Sequence, residues 1–155
     1  MKENPAEKEI LDRMRPGVLS AEGFLGADPR SLDQMIAEDV AELEGEGITI
    51  GELGAALNDL HQRVDAALGG PVSLADGQVT AEEIEVMGRI PCPFGCGTLA
   101  HKAVIHVRFH GKQLLLTPLH GHLISEHGFF QGRGTIFRLE PKVAAELFRL
   151  LCPEP

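Results

Sequence analysis

Two thiols and three imidazoles carry the chemistry most easily read from this chain. Cys92 and Cys96 flank Pro93-Phe94-Gly95, and His120, His122 and His127 follow within one short stretch. Thiolate and imidazole are the ligands zinc prefers, four to an ion in a tetrahedron. Three residues separate the cysteines and four separate His122 from His127, both within the spacings zinc modules use. The proline and glycine between the thiols suit a tight knuckle whose backbone N–H groups support thiolate charge. The 25 residues from Gly97 to Gly121 exceed the linker of a common finger, which a longer hairpin would accommodate.

Helix geometry decides among the histidines. At 100° per residue His120 and His127 lie about 20° apart but roughly 10 Å along the axis, too far for one ion. His122 and His127 are separated by roughly 7.5 Å along it and can chelate if the last turn distorts. The expected ligands are therefore Cys92, Cys96, His122 and His127, with His120 as substitute, and His101 and Cys152 fall outside the set. The competing reading makes the cysteines small buried residues and the histidines satisfied core groups.

Placing these ligands requires a turn, a hairpin and a helix, and the pattern around them supplies all three. Residues 103–109 alternate in part, Gly111-Lys112 turns, 113–117 pairs back, and a helix runs from Pro118 to Gly128. Upstream, Val72 and Leu74, an Asp76-Gly77 turn and Val79 form a small hairpin, with a further strand toward Ile90. Downstream, Thr135 to Leu139 reads as a last strand and Pro141 opens a closing helix.

The first 70 residues read as helical. A short helix over 5–15 stops at Pro16-Gly17, and Gly17 to Gly26 is an ordered loop broken by glycine. Asp28-Pro29 is the expected start of the next helix, which runs to about Glu44. Thr49-x-x-Glu52 is a capping box for a helix over 50–68. Its Leu53, Leu57, Leu60 and Val64 form a narrow apolar seam, suited to a helical hairpin or to a homodimer. The expected fold is α+β, with an acidic helical region over 1–70 packed with an α+β region over 71–155. The latter contains a small antiparallel, ββα-like, zinc-stabilised unit.

Composition narrows the function classes. The 155 residues include 43% hydrophobic side chains, enough for a core, yet no run approaches the ~20 apolar residues of a membrane span. No apolar leader follows Met1, and three cysteines suit a reducing compartment, so a cytoplasmic protein is expected. The net charge of −9 resides in residues 1–69, where fifteen acidic side chains face six basic ones. That balance opposes binding to duplex DNA, including by the helix pair around Gly45-Glu46-Gly47. A local basic set remains, with Lys112, Arg133 and Arg138 near Phe129 and Phe130, which could stack bases or hold an anion.

The order of GVLSAEGFLG, a helix pair, a PCP turn and TPLHGHLISEHGFFQGRG resembles an uncharacterised family of bacterial proteins. The resemblance spans most of the chain and implies one integrated domain; it brings no activity, cofactor or site residue. Serine elbows, phosphate loops and the His-Glu-x-x-His order are all missing. The expected function is a non-catalytic regulatory or adaptor protein with a structural zinc site, acting through protein contacts. One alternative is a metal-dependent hydrolase or nuclease using His120 or His122. Another is a weak module for single-stranded nucleic acid or anions.

Overall fold

A computed structural model describes residues 5–153. Among them are five α-helices and one four-stranded antiparallel sheet, an α+β fold. Helices α1 (Pro5–Arg13), α2 (Leu32–Gly45) and α3 (Ile50–Ala66) come first. Strands β1 (Val72–Leu74), β2 (Val79–Pro91), β3 (Leu99–Phe109) and β4 (Lys112–Leu116) follow as a meander in sequence order. Helices α4 (His120–His127) and α5 (Pro141–Leu151) close the chain. None of these helices is long and apolar enough to cross a membrane.

Local chemistry explains most of the boundaries. Thr49 and Glu52 exchange the two hydrogen bonds of a capping box at the start of α3, as the sequence predicts. Pro141 occupies the first turn of α5, where its missing N–H is harmless. The start of α2 differs from expectation, because Ser31 and Gln34 form its capping box and Asp28 stands outside the helix. The Asp28 carboxylate instead takes the Arg30 guanidinium at 2.7 Å and the backbone N–H of Arg133 at 3.0 Å. The expected strand over 135–139 is also absent. That segment is irregular, and its polar groups bond locally and to α2 rather than to a neighbouring strand.

The period of two along the strands sets the core. Val79 and Ala81 of β2 and Ile105, Val107 and Phe109 of β3 point to one face. Leu53, Leu57, Leu60 and Val64 of α3 join that same cluster, with Ala144, Ala145 and Leu147 of α5. The seam predicted for a homodimer is therefore covered within one chain. Truncating one of these leucines to alanine costs about 2–5 kcal/mol through lost burial and the cavity left. A second cluster gathers Met14, Phe24, Leu32, Met35, Cys92, Leu119, Leu123 and Phe129 around the start of α4.

Helices α3 and α4 approach closely through Gly54 and Gly121. A Cβ on Gly54 would lie 2.5 Å from Ser125 Cβ and 2.8 Å from the Gly121 carbonyl oxygen. Only hydrogen at both positions permits this spacing, and it fixes where α4 carries its histidines.

A buried charge network ties α2 to the segment before α5. Arg138 grips Asp39 with both terminal nitrogens, at 2.8 and 3.0 Å, and Arg30 adds a contact at 3.2 Å. Burial alone would push the Asp39 carboxyl up; the hydrogen bonds from Arg138 and Arg30 more than reverse this and lower it. Asp28 is also held low, chiefly by its hydrogen bonds from Arg30. A depressed carboxyl stabilises the fold above the ordinary aspartate pKa of 3.8, and that stability is lost as pH falls toward the lowered folded value. Asp39→Ala should cost about 3–5 kcal/mol in urea unfolding, because it removes the buried carboxylate that Arg138 and Arg30 share. Glu38→Ala, which removes an exposed partner of Arg30, should cost less than about 1 kcal/mol. Equal losses from the two would refute a dominant role for the buried pair.

Candidate metal centre

The knuckle forms because β2 ends at Pro91 and the chain must reverse into β3 at Leu99. The Cys92 N–H donates to the Thr98 carbonyl at 2.9 Å, and the Gly95 N–H returns to the Cys92 carbonyl at 3.1 Å. Gly95 and Gly97 have φ of 76° and 90°, left-handed values that side chains disfavour. Arg13 at the end of α1 donates through Nε to the Pro93 carbonyl at 2.7 Å and holds the turn from outside. Cys92 is buried in the second core cluster and Cys96 is exposed.

Helix α4 delivers the imidazoles. Its last residue is His127, after which Gly128 takes the left-handed conformation at φ 63°. Its N–H bonds the Ile124 carbonyl at 2.9 Å, and a Cβ there would press on Val40 at 2.8 Å. Phe94, from between the two cysteines, stacks on His127 with ring centroids 4.1 Å apart and planes 7° from parallel. The edge of Phe129 closes on Phe94 at 5.6 Å. The His127 ring is thus fixed on one side by an aromatic face, and His122 sits edge-on to it at 5.1 Å.

One ligand atom from each of Cys92, Cys96, His122 and His127 lies within 4.8 Å of all the others, so the cluster could hold a metal ion. A zinc tetrahedron with bonds of ~2.0–2.3 Å has edges of about 3.3–3.8 Å, which this spacing can reach with small adjustments. Cys96 Sγ is already 3.2 Å from His122 Nε2. His127 Nε2 is buried without a hydrogen-bond partner, an arrangement a bound cation would resolve.

The other sequence candidates lie elsewhere. His120 cannot serve as a substitute ligand, because both its ring nitrogens are engaged. Nδ1 accepts the Thr117 N–H at 2.9 Å, and Nε2–H donates to the Phe137 carbonyl at 2.8 Å. Burial drives its pKa down to about 4, so it is a neutral structural pin and no acid–base group for a nuclease. Phe129 and Phe130 are each 1% exposed and offer no face for a base. Arg138 is committed to Asp39, Lys112 pairs with Glu146 at 2.6 Å, and Arg133 remains exposed. The anion-binding set expected around this loop is not assembled. Conversely, Phe94 and Arg13 position the knuckle, and of these only Phe94 had a sequence signal, its place between the cysteines.

The two thiols differ sharply. Thr98, through its side chain and its backbone, holds Cys96 down to about 5, while burial pushes Cys92 up to about 12. Metal-free protein near neutrality should therefore be alkylated by iodoacetamide at Cys96 and spared at Cys92. Reactivity at Cys96 should fall as the pH drops through about 5, and bound metal should protect it. Peptide mass spectrometry reads each site separately, and equal labelling of both cysteines would contradict this assignment. No protein-family model, curated protein or solved structure matches the chain.

Proposed function

We propose that Cys92, Cys96, His122 and His127 hold a structural zinc ion in a non-catalytic protein that acts through protein contacts. The observation that carries this reading is the convergence of two thiols and two imidazoles from the knuckle and α4. Two sulfurs and two nitrogens within 4.8 Å of one another favour zinc over the harder divalent cations. Four protein ligands leave no open position for water, which favours a structural ion over a hydrolytic one.

The centre would hold the turn of a β arm. Beyond Glu85 the register of β2 against β3 shifts, and Val86-Met87-Gly88 bulges before pairing resumes at Arg89. Ile84, Val86, Met87 and Leu99 are exposed on this arm, Met87 at 95%. Such an apolar group is the kind of surface on which protein contacts form. The knuckle lies directly at the arm's turn, so the ion fixes the surface the partner would meet.

Purified protein should carry one zinc in this site, and Cys92→Ser or His127→Ala should remove it. Zinc at a thousand times its Kd adds about 4 kcal/mol of stability, so chelation should lower Tm by roughly 10 °C. Cobalt in the site should show a thiolate charge-transfer band that added azide leaves unchanged. Protein with the same Tm before and after chelation would defeat the structural reading, and an azide-sensitive spectrum would favour a hydrolase.

A further inference from the structure

At the far end of the apolar core from β4, both central strands change chemistry on the core-facing side. In β2 the sequence Val79, Ala81 is continued by Glu83; in β3, Phe109, Val107, Ile105 and Ala103 lead back to His101. Above them α3 presents His61 and Asp65, one turn apart on the same side of the helix. One ligand atom from each of these four side chains lies within 4.8 Å of the others.

The internal geometry is poorly explained by hydrogen bonding alone. Glu83 Oε1 is approached by His101 Nε2 at 3.0 Å and by His61 Nε2 at 3.6 Å. The second distance is too long for a hydrogen bond, and His61 Nε2 is buried without a partner. The two rings sit with centroids 5.0 Å apart and converge on the same carboxylate. With metal–ligand bonds of ~2.1 Å, ligand atoms on neighbouring vertices are about 3.0–3.4 Å apart. The observed pair of distances brackets that range. Glu83 has only 6% of its side chain exposed, so a bound cation would offset the burial of its carboxylate.

We infer that His61, Asp65, Glu83 and His101 form a second metal site, which takes a first-row divalent cation such as zinc. Its two nitrogens and two carboxylates make a harder donor set than the thiolate knuckle. It is also more open: Asp65 is exposed and His101 one-third exposed, so water can enter the coordination sphere. His101 additionally lines an apolar cavity of about 260 Å³ with Val86, Ile90, Phe24, Leu119 and Phe137. The cavity thus meets the site at His101, and solvent meets it at the exposed Asp65. The assignment does not depend on zinc in the knuckle, because the two sites share no residue.

Cobalt titration of the full, chelator-stripped chain distinguishes the sites. The cysteine site gives thiolate charge transfer, whereas the His/carboxylate site gives ligand-field absorption without it. Wild type is expected to bind two equivalents. His61→Ala and Glu83→Gln should each weaken the sulfur-free equivalent by at least ~100-fold and spare the charge-transfer band, while Cys92→Ser should do the reverse. His101→Asn, at a more exposed position, keeps the test readable if Glu83→Gln fails to fold. A wild type that binds one equivalent, all of it with charge transfer, would overturn the second site. So would a second equivalent unaffected by His61→Ala and His101→Asn. Loss of the charge-transfer equivalent alone would overturn the zinc knuckle and leave this site standing.

Discussion

The close approach of α3 and α4 at Gly54 and Gly121 is the constraint on which the other placements depend. Backbone meets backbone there, and a methyl group on either residue would collide with carbonyl oxygen or side chain. Because α3 is anchored on the sheet by Leu53, Leu57, Leu60 and Val64, α4 inherits a fixed position relative to the strands. His122 and His127 then meet a knuckle that grows from those same strands. The far end of α3 brings His61 and Asp65 over Glu83 and His101. One helix thus sets the coordinates of both donor clusters, one through its glycine and one through its own side chains.

The buried charges perform a different task. Residues 129–140 have no regular structure of their own, so their backbone groups need partners elsewhere. Arg138 supplies one by donating to the Gln131 carbonyl at 2.7 Å while it holds Asp39. His120 supplies another through Phe137. A buried ion pair is weak evidence of net stability, since desolvation offsets its attraction. Its value here is conformational: guanidinium geometry allows few other placements for the segment.

What was legible in the sequence follows the range of the interactions involved. The Thr49–Glu52 box, the proline opening α5 and the Asp76-Gly77 turn act over a few residues, and each stands where expected. The Cys/His spacing was legible because a chelate reads as two short intervals joined by a hairpin. Asp28 misled because a carboxylate before proline looks like a cap, yet a guanidinium two residues on and a distant N–H outcompete the helix for it. Residues 135–139 alternate like a strand, but they pair with no strand of the sheet, and Leu139 and Arg138 bond to Phe130 and Asp39 instead. Phe129 and Phe130 beside arginine looked like a surface loop, yet the first core cluster takes Phe130, the second takes Phe129, and Asp39 takes Arg138.

The His61 quartet shows most clearly where such reading stops. Its one local trace is His61-x-x-x-Asp65 on α3, next to the apolar seam; Glu83 and His101 read simply as breaks in strand alternation. Only the register that pairs β2 with β3 turns two breaks into neighbours, and that register includes a bulge no motif announces. The two clusters also differ in the physics that would keep them apart. Buried Cys92 needs a cation to favour its thiolate, so an ion held by the knuckle would be one that binds sulfur strongly. The quartet contains no sulfur and opens to solvent, so it accepts ions that keep water among their ligands. A chain with both would sort metals by ligand softness rather than by affinity alone, holding one ion closed for shape and leaving the other exchangeable.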